Sequence, residues 1–315
     1  MMEKQPKGKE FFIFLVTYIL LLLLTVLLPI PFITVIFLPI PIILWVKAYE
    51  WKWIFIGLAS ILIISLLMFP LLSIPVSLLA IISGCMIGWA LKHDQHPYEV
   101  WAKGTLGYVI GFVLIYVYLE TFMDISISDM YTQTVEESMQ MAREFMQAFG
   151  MNQFSDEDIS AMRDQLLSVL SLMPVIFVSV SLFFAGMAQW FSYKLLNSRV
   201  QEKRYMFPPF RTFHLPKVIL WIYFLTLMIT LLSGLDESQT MMADMVMNVS
   251  NLAGILLILQ GFSFIFHYTY VKQQSKALPI VSILIVVFFP FLGLYLVRIL
   301  GIIDLGFGLK KIVDK

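Results

Sequence analysis

Long apolar runs separated by short polar segments organise this chain. Phe11–Leu28 is uninterrupted, and Ile30–Val46 follows it directly, ending at Lys47. Trp53–Phe69 and Leu71–Leu91 form a second adjacent pair, broken at Pro70. Gly104–Met123 stands alone, Val169–Leu196 is longer, and Val218–Gly234, Val249–Val271 and Ile280–Ile303 complete the set. A helix needs roughly 20 apolar residues to cross the hydrocarbon core, with about 17 to 25 as the working range. Lipid offers no partner to an unpaired backbone amide, so every run predicts a helix. The pattern as a whole predicts an all-α, polytopic transmembrane helix bundle of eight or nine spans. The first run is too long for a cleaved signal peptide, and no small-residue cleavage site follows Leu28.

Prolines punctuate the first pair. Leu28-Pro29-Ile30-Pro31 recurs as Leu38-Pro39-Ile40-Pro41. Proline removes a helical donor and clashes with the preceding turn. The first copy predicts a tight turn between two spans. The second predicts a kink or a break inside the second span, either purely structural or lining a cavity as in some transporters.

One long segment is not apolar. In Asp124–Ser168, Thr134 and Glu137 form a capping-box pattern, and Val135, Met139, Ala142, Phe145 and Phe149 recur at helical spacing up to Gly150. Ser155 with Asp156, Glu157 and Asp158 opens a second helix, with Ile159, Met162 and Leu166 as its apolar side. Two short amphipathic helices are predicted, capping the outer mouth of the bundle. The chain therefore divides into a cytoplasmic tail (1–10), five spans (11–123), the acidic extracytoplasmic cap (124–168) and a sixth span (169–196). A basic, Pro-rich cytoplasmic loop (197–217), the remaining spans (218–303) and a C-terminal tail (304–315) follow.

Charge sets the orientation, because short cytoplasmic loops collect Lys and Arg. Lys4, Lys7 and Lys9 place the N-terminus in the cytoplasm. Lys47 with Lys52, Lys92 with Lys103, the run from Lys194 to Lys217, and Lys272 with Lys276 mark later cytoplasmic segments. The cap, with nine acids against Arg143 and Arg163, lies on the other side, as does the segment holding Asp236, Glu237 and Asp244. Only the last run breaks the alternation: a full crossing by Ile280–Ile303 would put Lys310, Lys311 and Lys315 outside. Either the tail is an exception, or the run turns back near Phe289-Pro290-Phe291, or two of the runs are one span. A cytoplasmic C-terminus with eight full crossings is the favoured expectation.

Composition agrees with the pattern. Of 315 residues, 60% are hydrophobic and 13% charged, against about half and a quarter in soluble domains. Mean hydropathy is +0.87. An ordinary cytosolic enzyme and a disordered chain are both excluded. The 21 Lys+Arg balance the 21 Asp+Glu, which gives no reason to expect nucleic acid as a partner. Cys85 is the single cysteine, so no disulfide framework exists.

Four motifs carry a family likeness: the Pro29–Pro41 opening; Gly84-Cys85-Met86-Ile87-Gly88 with Gly104-Thr105-Leu106-Gly107; Pro208-Pro209-Phe210 with Phe213–Pro216; and Gly301-Ile302-Ile303-Asp304 with Phe307 and Lys310. In this order they resemble the YybS-like family of polytopic proteins, mostly of Gram-positive bacteria, over nearly the whole chain. The resemblance implies an integral membrane protein of the cell membrane with no assigned biochemical role. More distantly, the chain is similar to the substrate-binding S components of energy-coupling-factor transporters, which have six spans with both ends inside.

Ionisable groups inside spans default to functional candidates, because they are costly there. Glu120, Asn251 and Gln260 are the candidate ligand-binding residues, grouped around an outward-facing pocket. Gln189, His267 and Arg298 have structural readings as hydrogen-bonding or interfacial groups. Arg204, Arg211 and His214 in the basic loop are candidates for contact with anionic lipid or a protein partner. The Gly84/Gly88 and Gly107/Gly111 pairs let backbones approach closely, with packing between the fourth and fifth spans as the expected use. His93 and His96 make only half a metal site, and clustered Met side chains fill amphipathic faces without copper, so no metal and no cofactor is expected. No HExxH, GxSxG or GxxxxGK is present, and no enzymatic activity is expected. Two functions remain: a small-molecule transport component that captures substrate in the S-component manner, and a membrane scaffold or regulatory partner without transport activity.

Overall fold

The computed structural model describes residues 8–28, 31–149, 156–198, 204–233, 241–275 and 277–314. Of the residues named above, Lys4, Lys7, Pro29, Ile30, Gly150, Ser155, Gly234, Asp236, Glu237, Lys276 and Lys315 lie outside them. Among the described residues there are helices and no strand. Seven helices among these residues are long and apolar enough to cross a membrane, and three shorter apolar helices accompany them. The chain divides into two compact units, Met1–Met206 and Phe207–Lys315.

The first unit contains α1 (Gly8–Leu27), α2 (Pro31–Phe37), α3 (Pro39–Ala48), α4 (Trp51–Met68), α5 (Pro70–Lys92), α6 (Pro97–Phe122), the cap helices α7 (Ile127–Ala148) and α8 (Asp156–Leu167), and α9 (Met173–Asn197). Together, α2 and α3 make the second span. Leu38 keeps helical angles (φ −58°, ψ −38°) between them, so Pro39 kinks that span and does not sever it. Six membrane elements result: α1, α2–α3, α4, α5, α6 and α9.

Small residues set the packing. A Cβ on Gly107 would come within 2.8 Å of Ser83 Cα, and one on Gly111 within 2.7 Å of Leu79 Cγ, so α6 lies directly on α5. The other pair faces elsewhere: a Cβ on Gly84 would meet Ile42 at 2.9 Å, and one on Gly88 would meet Val46 at 2.8 Å. Gly84 and Gly88 therefore serve the contact of α5 with α3, which the spacing of the two motifs alone did not distinguish. Two lysines lock the same helix pair. Lys47 Nζ donates to Leu91 O (2.8 Å) and Lys92 Nζ to Tyr49 O (2.7 Å). Each cation sits on carbonyls at the other helix's C-terminal end, where a positive charge is favoured. Deeper, Tyr18 donates to Ser77 (2.8 Å), and Ser65 and Ser77 share a hydrogen bond of 2.7 Å across the α4–α5 turn.

The cap starts earlier than its sequence pattern suggests. Ser126 Oγ accepts from Asp129 N (3.1 Å) and α7 begins at Ile127, so Thr134 is mid-helix and returns its hydroxyl to Met130 O (2.8 Å). Val135, Met139 and Ile159 form the small core between α7 and α8, and Arg163 reaches Glu136 at 2.8 Å.

The second unit contains α10 (Val218–Ser233), α11 (Met241–Val271), α12 (Ala277–Phe288), α13 (Pro290–Phe307) and α14 (Leu309–Val313). The last apolar run does turn back. A Cβ on Gly293 would lie 2.7 Å from Val286 Cα, so α12 and α13 are antiparallel about Phe289-Pro290. At 12 residues, α12 rises about 18 Å. Arg298 beside Gly254, Asp304 beside Gln260 and Asp314 beside His267 keep step, so α13 runs in the same direction as α11. The chain therefore ends beside the C-terminal end of α11.

Candidate functional site

Consecutive spans of the first unit alternate in direction, so its cavities can be assigned to ends. One cleft of about 430 Å³ lies between α1 and α2–α3, at the end where the chain enters. Ile13, Leu21, Phe37 and Leu44 line its apolar body, and Glu10 and Tyr49 its polar end. Tyr49 donates its hydroxyl to Glu10 Oε2 (2.9 Å). Trp45 braces the wall, stacked on Phe14 at 4.4 Å between centroids and donating Nε1 to Trp53 O at 3.0 Å. A second cavity of about 400 Å³ lies at the opposite, capped end, between α6 and α9. Val109, Val113, Tyr116, Met173 and Phe177 line it, together with Ser128 of α7.

The second unit is organised by a buried polar network that fixes the Pro-rich loop. Gln260 is fully buried; its Oε1 accepts from Leu215 N (2.9 Å) and its Nε2 donates to Asp304 Oδ2 (2.5 Å), with His214 Nδ1 at 3.4 Å. Asp304, also fully buried, accepts from Lys310 N at 3.0 Å. Lys310 Nζ donates to Phe213 O (2.6 Å) and Ser263 Oγ (2.7 Å), and Ser263 Oγ lies 2.8 Å from Phe210 O. Proline has no amide hydrogen, so a loop rich in it is held mainly through its carbonyls. Burial lowers the Lys310 pKa, and the charge of Asp304 opposes that shift.

Among the described residues, Arg298 is the one cation placed well inside an apolar helix of this unit. Helical side chains lean toward the N-terminus, so its head points away from the nearby chain end. The guanidinium packs on α11 with Cζ 3.5 Å from where a Gly254 Cβ would stand, and Nη1 donates to Tyr223 Oη at 3.3 Å. Its Nε is buried with no hydrogen-bond partner. Such a charge costs roughly 2.5–3.5 kcal/mol on insertion scales.

The residues singled out from sequence are placed as follows. Glu120 is exposed on α6, one turn beyond Tyr116, in the first unit; Asn251 and Gln260 sit on α11 of the second. Glu120 lines neither cavity of the first unit, and Gln260 is committed to the loop. Arg204 pairs with Asp94 at 3.0 Å, Arg211 lies 3.6 Å from the centre of the Tyr270 ring, and exposed His214 faces Gln260. His93 and His96 cap different helices, His93 Nδ1 lying 2.9 Å from Trp89 O and His96 Nδ1 accepting from Tyr98 N. Gln189 bridges α9 to Pro97 O (2.9 Å). Asp304, Lys310 and Ser263 were missed as site residues. An acid closing an apolar run six residues after an arginine is the signal that could have found Asp304.

A family model described as a predicted membrane protein, DUF2232, matches residues 15–305. The chain belongs to the DUF2232 family of membrane proteins. The uncharacterized protein YybS of Bacillus subtilis (strain 168) is 26% identical over 278 residues, covering 87% of each chain. No solved structure matches. Family and fold together make this an integral, multi-pass membrane protein with an all-helical bundle.

Proposed function

We propose that this protein is a small-molecule transport component of the cell membrane. The observation that carries the reading is the pair of cavities at opposite ends of one six-element unit, one beside Glu10 and Tyr49 and one beneath the cap. A ligand captured at the capped end would pass between helices whose close glycine contacts leave few side chains to displace. The six membrane elements of the first unit also match the number expected from the S-component resemblance. In this reading the N-terminus, the Pro-rich loop and the C-terminus are cytoplasmic, following the distribution of Lys and Arg. The protein does no chemistry on its ligand. Both cavities are mostly apolar with one polar edge, which suits a small amphipathic molecule.

The test is a thermal-shift screen of the purified full chain against vitamins, nucleobases and amphipathic amines, followed by uptake into proteoliposomes. A hit whose stabilisation is lost in Val113→Trp, which fills the capped cavity, supports the reading. Absence of any hit, or a hit indifferent to both Val113→Trp and Thr17→Trp, overturns it.

A second reading, the membrane scaffold, is favoured by one specific feature. Residues 210–215 of the Pro-rich loop are tied down by Gln260, Ser263 and Lys310, as a preformed docking surface would be. Crosslinking from Arg211 that recovers a defined protein would favour it; recovery of lipid alone would count against it.

A further inference from the structure

We propose that Arg298 and Tyr223 form an oxyanion-binding site inside the second unit, distinct from the cavities of the first. The argument rests on the hydrogen-bond inventory of the two side chains. Arginine carries five N–H donors and no acceptor, and a phenol has one O–H to give. Among the described residues only Nη1 of Arg298 has a partner, and that partner is Tyr223 Oη at 3.3 Å. Nε is buried and unsatisfied. Tyr223 is itself buried and spends its oxygen accepting from the guanidinium, which leaves its proton available. The group presents donors and a full positive charge and offers no acceptor, so it selects a ligand that only accepts. Carboxylate and phosphate groups meet that requirement, and the guanidinium fork matches their spacing.

The surroundings leave the charge unanswered. No described carboxylate forms an ion pair with Arg298; Asp304, six residues on, is turned to Gln260 and Lys310. Gly254 provides a flat backbone surface for the guanidinium, and Asn251 stands one turn before it on α11. A structural arginine in an apolar helix would be expected to reach a carboxylate. This one is aimed at a phenol instead, on the side away from the chain end. The shared chemistry of the ligand is a terminal oxyanion, supplied either by a soluble anion or by a lipid phosphate.

The experiment uses the full chain in detergent and in nanodiscs. Thermal stability is measured against sodium phosphate and sodium acetate, with sodium chloride at matched ionic strength as reference, and retained lipid is read by native mass spectrometry. The expected result is stabilisation by an oxyanion, or one tightly retained anionic lipid. Either signal should weaken at least tenfold in apparent affinity in Arg298→Gln and in Tyr223→Phe, and persist in Arg211→Gln. Phosphate or acetate dependence without retained lipid identifies a soluble anion; retained phosphatidylglycerol lost in Arg298→Gln identifies a lipid. Arg298→Met guards against a folding failure: without anion it should be at least as stable as the parent, because an uncompensated charge is gone, and it should not respond to anion. Equal responses in the parent and Arg298→Met, or no response and no retained anionic lipid in the parent, would overturn the proposal. Ligand binding in the first unit should be unchanged in these variants, so this result is independent of the transport reading.

Discussion

Phe69 and Phe289 each stand before a proline and hold nearly the same backbone, φ −133° and ψ 73° at the first, φ −130° and ψ 66° at the second. Both values lie outside the helical region, as the residue before a proline prefers. In both places the following proline opens the next helix, where its missing amide hydrogen costs nothing. At Phe69 the turn joins two spans, and Ser65 meets Ser77 across it. At Phe289 the same turn brings Gly293 against Val286 and sends α13 back alongside α12.

The returning hairpin fixes where the chain ends. In a Cys85→Ser background, Lys311→Cys and Ser275→Cys should react with a membrane-impermeant maleimide from the same face of a vesicle. Asp129→Cys, on the cap, reports the opposite end of the first unit. Labelling of positions 275 and 311 from opposite faces would mean that the last run crosses, and would return the charge exception at Lys310 and Lys311.

Gln260 and Asp304 should be energetically coupled. Removing one partner of a buried hydrogen bond strands the other, at about 1–3 kcal/mol. Gln260→Leu and Asp304→Asn should each destabilise the second unit by an amount of that order, with the double variant losing less than the sum. Loosening of the Pro-rich loop should appear as faster trypsin cleavage at Arg211. Additive losses with unchanged cleavage would show that the loop is held by other contacts.

Much of this fold was legible from apolar runs and prolines, because the rule that lipid cannot pair a backbone amide leaves helices as the choice. The kink at Pro39 and the two-helix cap follow from local chemistry, although Ser126 supplies the cap's starting hydrogen bond in place of Thr134. Partners across the bundle were not legible. Gly84 and Gly107 carry similar motifs yet face α3 and α5, and spacing along one helix cannot say which neighbour it meets. Gln260 read as a pocket residue for the same reason: a buried amide announces polar partners without naming them, and the structure gives it the loop and Asp304.

Gly301 and Gly306 should respond oppositely to alanine. A Cβ on Gly301 would overlap the carbonyl oxygen of Leu257, and backbone cannot step aside as a side chain can. Overpacking of this kind costs about 1–3 kcal/mol. A Cβ on Gly306 would meet only Leu220 Cδ2 at 3.6 Å, an ordinary contact. There the better helix propensity of alanine should stabilise by up to about 1 kcal/mol. Unfolding of the two variants in mixed micelles checks both signs, and a neutral Gly301→Ala would contradict the close α11–α13 contact.

Lys310 should make the second unit sensitive to alkaline pH. Its pKa in the fold is lowered from the ordinary 10.5 by burial, with the charge of Asp304 working against that shift. A lysine whose folded value lies below its unfolded value is less willingly protonated in the folded state. It therefore subtracts stability at pH values below the folded pKa, and the deficit shrinks as pH rises through that value toward 10.5. Thermal unfolding followed across this alkaline window should show stability increasing with pH, and Lys310→Met should abolish the slope. Asp304→Asn removes the opposing charge, so the lowering should deepen and the slope should begin at lower pH. A slope that survives Lys310→Met would assign the titration to another group and leave Lys310 as an ordinary surface-like lysine, which its hydrogen bonds to Phe213 O and Ser263 Oγ argue against.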